Sequence, residues 1–299
     1  ASALTAQDTA AYPTILSGNI GDPATNTDNV YRVVTFGPVD DFTLLKGLHI
    51  TGGYADRSDN FFFGTGAGIF NSNFAADSTS GVVLQDLMLY GNTAALNGGA
   101  VYNDGSIWIS GCSIFQNEAE DGGAIYNGGT ISISSCDISQ NQAVDGSGLY
   151  NDNAIVDFSG TNCVLRNVKI HHNTASDDGG GIASKEGISV YDCDISNNEN
   201  DGGSGAACYF DLDEGTLGDT IRFVRTKLNN NLLNDTGEDG SAVYANSDCP
   251  VPPVFLFAAC LVQGNEGDDG TFYFDVDGDN DDINVFVESC LFSGRDSIQ

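Results

Sequence analysis

The sequence predicts an all-β solenoid, a parallel β-helix whose coils are roughly 24 residues long. Three observations predict it. Seven residues, "NGGAVYN", return as "DGGAIYN" and "DGSGLYN" at intervals of twenty-four. Apolar residues recur in columns spaced as strands space them. Glycine and asparagine stand between those columns, where a coil has to turn. Self-similarity at a fixed short period is the mark of a repeat architecture.

The first signal, Gly-Gly-small-aliphatic-aromatic-Asn, occupies Gly98–Asn103, Gly122–Asn127 and Gly146–Asn151. Looser copies stand at Gly66–Asn71, Gly179–Ser184, Gly240–Ala245 and Gly270–Asp275, with a shifted one near Gly202–Tyr209. The second signal, apolar-x-apolar-x-x-Cys-x-Ile-x-x-Asn, ends at Asn117, Asn141, Asn173, Asn198, Asn231 and Asn265. Three residues before each Asn stand Ile114, Ile138, Ile170, Ile195, Leu228 and Val262. Five before stand Cys112, Cys136, Val168, Cys193, Thr226 and Cys260. Two further apolar columns precede these, from Ile109 to Phe257 and from Ile107 to Phe255.

Spacing of two within each pair of columns means alternation along a strand, and the step of three between the pairs means a bend. β-Branched and aromatic residues dominate, as strands prefer. The paired glycines suit tight corners, and the Asn column suits a corner because Asn tolerates the left-handed conformation. A coil of three short strands cannot bury its apolar face alone, whereas stacked coils bury a continuous core. A propeller blade needs about forty residues, and the leucine-rich repeat pattern is missing. The expectation is a single β-helix domain over residues 1–299, with 1–40 forming the first coils and 41–299 the regular ones.

Composition bounds function. The chain has 299 residues, 42 Asp+Glu against 10 Lys+Arg, and a formal charge of −32. Phosphate backbones need Lys and Arg, so nucleic acid is excluded as a partner, and anionic membrane surfaces likewise. No run of eighteen apolar residues is present, so no membrane insertion is expected. No basic segment followed by an apolar one opens the chain, so export would require a signal already removed or lying outside it.

"GGAIYN" followed by I-x-x-C-x-I-x-x-N-x-A resembles the repeat of polymorphic outer-membrane-protein-like adhesins. It is similar also to secreted bacterial proteins with pectate-lyase-like parallel β-helix repeats. "YPTILSGNIGDPATNTDNVYRVVTF" and "LLKGLHITGGYAD" resemble the first coils of the latter, and the similarity covers about residues 12–295. It implies a right-handed coil and a secreted or cell-surface location. Activity does not follow, since such folds host lyases, hydrolases, epimerases and adhesins alike. Relatives usually carry a stretch before "TILSG", and open solenoid ends are unpaired strand edges. Either a piece of a longer protein or a subunit self-associating end to end is therefore expected.

Of eight cysteines, Cys112, Cys136, Cys193, Cys260 and Cys290 share one inward column. Neighbours one coil apart stand ~4.8 Å from each other, longer than the roughly 3.8 Å between Cβ atoms that a disulfide prefers, so buried thiols are expected. Cys208 and Cys249 read as lying in irregular insertions, where they could pair.

Before the glycines stand Asn97, Asp121, Asp145, Asp178, Asp201, Asp239 and Asp269. Stacked at ~4.8 Å, like charges repel by about 0.9 kcal/mol in water and more near a protein surface. Either corner N–H groups and water satisfy them, or cations bridge them. In "DVDGDNDD", Asp275, Asp277, Asp279 and Asp282 match the D-x-D-G-D-x-x-D pattern of extracellular calcium loops. The EF-hand order is absent, as Phe286 stands where Glu should. Structural Ca2+ and a merely solvated acidic loop both fit.

Tyr102, Tyr126 and Tyr150 follow inward aliphatic residues. They read either as an exposed aromatic stripe able to bind a sugar or a partner protein, or as a ladder packing on itself. The candidate lyase bases are few: Lys169, His171, His172, Arg225 and Lys227. The column Ser113, Asp137, Lys169, Asp194, Lys227 reads as a surface salt-bridge ladder. The leading expectation is a non-enzymatic extracellular adhesion or surface-display module that binds glycan or a surface protein along its flank, with calcium. A polysaccharide lyase or glycoside hydrolase is the alternative, and a subunit polymerising end to end is the third reading. A groove lined by Lys169, His171 and Arg225 with nearby acids would favour the enzyme.

Overall fold

The structure is a computed structural model that describes residues 13–39, 41–72, 80–152, 163–212, 219–234, 239–247, 252–267, 270–275 and 283–293. Within them the chain coils as a parallel β-helix. One coil shows the plan: Val101–Asn103 lies in sheet B, Ser106–Ser110 in sheet C and Ser113–Phe115 in sheet A. Every described strand pair is parallel, and the three sheets hold nine, nine and ten described strands in the order in which the coils succeed one another. Shorter pairings such as Gln142–Ala143 with Thr174–Ala175 bridge the way back to sheet B.

The columns read from the sequence are vertical stacks. Ile114 pairs with Ile138, then Ile170, Ile195, Leu228 and Val262, all fully buried. Ile109, Ile133, Leu165, Val190, Phe223 and Phe257 do the same in sheet C. Each fully buried side chain of this kind contributes about 1.5–3 kcal/mol of hydrophobic stabilisation. Insertions lengthen some coils, from 24 residues between Asn117 and Asn141 to 34 between Asn231 and Asn265, without moving the register.

At the Asn corner the structure differs from the expectation by one residue. The left-handed backbone belongs to the residue before the Asn: Gln116, Gln140, His172, Asn197 and Asn230 have φ between 52° and 57°. The Asn itself turns inward. Asn117 donates its backbone N–H and its Nδ2 to Oδ1 of Asn141, each at 3.0 Å, and Nδ2 also reaches the carbonyls of Leu89 and Phe115. The pattern repeats from Asn92 through Asn141, Asn173, Asn198 and Asn231 to Asn265, a buried ladder of seven amides. A second ladder joins Asn71, Asn103, Asn127 and Asn151 to Ser184. Buried amides demand partners, and each coil supplies those of the last.

The cysteine corner works in the same way. Gly111, Ser135, Asp192 and Ala259 carry positive φ, and the cysteine that follows each faces inward. Its sulfur accepts the N–H of the residue one coil earlier, as Cys136 Sγ does from Cys112 N at 3.4 Å and Cys193 Sγ from Val168 N at 3.4 Å. The thiol then donates to the carbonyl two residues before it, as Cys136 does to Ser134 at 3.2 Å. Thr226 keeps the second of these bonds with a hydroxyl. The described cysteines are free thiols. Cys208 corrects an expectation: it is no insertion residue but the fully buried inward residue of Cys208–Asp211, paired with Ile182 and Val243. Cys249 lies outside the described residues.

Glycine is required at the third corner. Gly122 has φ 66°, and a Cβ there would stand 2.4 Å from the Ile125 carbonyl oxygen. In the shifted copy the corner is Gly205, φ 69°, rather than Gly202. The residue preceding it in the acidic column is therefore Ser204 and not Asp201.

Candidate functional site

Two surfaces gather polar chemistry. The first runs along the cysteine corner between sheets C and A. An open groove of about 600 Å3 is lined there by Asp137, Lys169, Asp192, Asp194, Arg225 and Lys227, with the sulfur-bearing corner as its floor. Register places Ser113, Asp137, Lys169, Asp194 and Lys227 one above another, as the sequence predicted. Most of the cationic groups are engaged. Arg225 grips Asp192 with two bonds, at 2.6 and 2.7 Å, and Lys227 lies 3.6 Å from Asp194. His171 Nε2 is 3.1 Å from Asp137 Oδ1, and its Nδ1 is 2.8 Å from that of His172. The Arg225 partnership holds Asp192 below the usual carboxylate range and raises the guanidinium in turn. Asp192 escaped the sequence reading because it occupies the corner position itself, where no column of like residues marks it.

The second surface is the outer face of sheet B. Phe70, Tyr102, Tyr126 and Tyr150 stack with centroids 5.1–5.4 Å apart and planes within 10° of parallel. Of the two readings, the ladder packing on itself is the one formed, and the exposed stripe is corrected: Tyr102, Tyr126 and Tyr150 are 3%, 8% and 8% exposed. Ring faces at that spacing leave no room for water between them, and Phe61 of the helical turn Phe61–Gly64 sets its edge against Tyr102 at 5.5 Å. The hydroxyls are held too, Tyr102 donating to Asp104 at 2.6 Å and Tyr126 to Asp152 at 2.7 Å. Arg32 closes one end, its guanidinium 3.6 Å from the centre of the Phe70 ring. Burial lowers the Arg32 pKa to about 10.

Beside the rings runs the acidic column. Asn97, Asp121 and Asp145 pair by isolated bridges, and Gly146 N–H bonds to the Asp178 carbonyl on the next coil. The carboxylates accept N–H groups from the following coil rather than from their own corner: Asp145 from Asp178 N at 2.9 Å, Asp178 from Ser204 N at 2.7 Å. Burial first, then neighbouring acids, pushes Asp121 and Asp178 up to about 7 and Asp145 up as well.

Of the expected calcium loop, Asp275 ends the strand Phe272–Asp275 and accepts the Tyr244 hydroxyl at 3.2 Å. Asp277, Asp279 and Asp282 lie outside the described residues. Among the described residues no three His, Cys, Asp or Glu side chains are grouped to hold a metal, and no helix is long and apolar enough to cross a membrane. Compared with known proteins, the chain matches no family model, no curated protein and no solved structure.

Proposed function

We propose that the chain is a non-enzymatic binding module of the cell exterior, an adhesion or surface-display β-helix that holds a glycan or a protein along its flank. The observation that carries this reading is the groove at the cysteine corner. It is long, open and lined by alternating charges one coil apart, most of them already engaged with one another. Such a surface offers a polar chain a regular series of dipoles with little desolvation, while the Arg225 guanidinium, gripped by Asp192, is held in its charged form and cannot take up a proton. The resemblance to adhesin-like and secreted β-helix repeats supports the same reading. Structural calcium at Asp275, Asp277, Asp279 and Asp282 belongs to it, on the strength of the acidic loop pattern.

Polysaccharide cleavage is the second reading, favoured by the same groove, which Lys169 and Arg225 line with acids nearby, and by the Asp137–His171 contact beside Lys169. One experiment separates them: glycans and surface proteins are screened for binding and, in parallel, for release of unsaturated or reducing sugar ends, with and without calcium. Binding without release, reduced at least tenfold in Arg225→Glu/Lys227→Glu, is expected. Released sugar ends would establish the enzyme instead, and a melting curve untouched by EDTA would remove the calcium.

A further inference from the structure

The aromatic column of sheet B has a missing member. In register it reads Phe70, Tyr102, Tyr126, Tyr150, Ala183, Tyr209, Tyr244, Tyr273. The rings on either side of the break form two separate stacks, and the second is as regular as the first, with Tyr209, Tyr244 and Tyr273 within 4° of parallel. Where Ala183 withholds its ring a cavity of about 140 Å3 opens, lined by Tyr150, Ala183, Tyr209, Lys185 and the carboxylates of Asp145, Asp178 and Asp211. An engineered cavity of about 150 Å3 takes up one benzene molecule, so this slot has the capacity of a single flat ring. Its walls are the end rings of the two stacks, Tyr150 and Tyr209, set two coils apart.

The rim decides the charge. Three acids, of which burial pushes Asp178 up to about 7 and raises Asp145, face one ammonium group, in a chain whose formal charge is −32. The far end of the same column supplies a precedent: Arg32 lays a planar cation on Phe70. Ring faces attract cations through their quadrupole, most strongly where water is excluded. A slot with an electron-rich face on both sides and acids at its mouth offers that twice over.

We propose that the gap at Ala183 is a binding slot for a planar cation, a guanidinium or amidinium group or a cationic aromatic ring, inserted between Tyr150 and Tyr209. It lies on the outer face of sheet B and is independent of the charged groove. Benzamidine is the probe, with neutral benzamide as its isostere, titrated calorimetrically into the whole chain. Benzamidine is expected to bind at least tenfold more tightly than benzamide. A183Y completes the column and is expected to abolish binding without lowering the melting temperature, and D211N, at the rim, to weaken it several-fold. The tripeptide Gly-Arg-Gly, set against Gly-Lys-Gly, identifies the source: binding of the arginine peptide marks an arginine side chain of a partner as a ligand, and binding of benzamidine alone marks a free small cation. The proposal is overturned if the folded protein binds benzamidine no better than benzamide, or if A183Y and A183F, both folded, bind it as the parent chain does.

Discussion

The amide ladder of Asn92 to Asn265 and the aromatic column of Phe70 to Tyr273 climb the same coils, yet one is continuous and the other is broken at Ala183. The difference is energetic. Each Asn is buried and serves as acceptor for two N–H groups of its neighbour, so dropping one member orphans groups on the coils to either side, at about 1–3 kcal/mol per group. The rings touch mainly one another and sit on the outer face of their sheet. Removing one costs its own contacts and leaves its neighbours solvated at an edge. The amide ladder is therefore less tolerant of a gap than the ring column.

The largest effect that tests this contrast is Asn141→Leu. It takes the acceptor from Asn117 and the donor from Asn173 and is expected to cost about 3–5 kcal/mol in chemical denaturation. Tyr126→Ala, in the middle of the unbroken stack, is expected to cost less, about 3 kcal/mol. Equal losses at the two positions would remove the distinction.

Titration sharpens it further. The amide ladder carries no charge, whereas the column beside the rings holds Asp121 and Asp178 at about 7. Their unfolded carboxyls titrate near ~3.9, so between about pH 4 and pH 7 the folded chain binds more protons than the unfolded one, and stability falls as pH rises through that window. The melting temperature is expected to drop by several degrees from pH 5 to pH 8, and the Asp121→Asn/Asp178→Asn double variant to flatten the profile. A profile unchanged in that variant would show that other groups control it. The smallest effect is Ala183→Tyr, which joins two ring stacks and is expected to add about 1 kcal/mol.

Much of the fold was legible because burial forces like residues to stack: the columns running through Ile114 and Ile109 translate directly into register. The left-handed corner residue was not legible, since Gln116, His172 and Gly264 share no chemistry and only backbone geometry unites them. Nor was the burial of Tyr102, Tyr126 and Tyr150, for alternation says which way a ring points and not what covers it. Ser204 replaced Asp201 because the sequence copy carries three glycines near the corner, and conformation alone selects Gly205. The slot was half legible: "GGGIASK" lacks the aromatic residue of its sister copies, but the space this leaves depends on intact rings above and below.

The direction of the amide ladders has a consequence for the molecule as a whole. From Asn92 to Asn231 in one ladder and from Asn71 to Asn151 in the other, each side-chain Nδ2 donates to the ladder oxygen of the later coil. No amide can reverse alone without setting two donors against each other, so the rods of dipoles are locked in one sense. The solenoid is thereby electrically directional along its axis. Two copies meeting head to tail would extend the dipole rods, and two meeting head to head would oppose them.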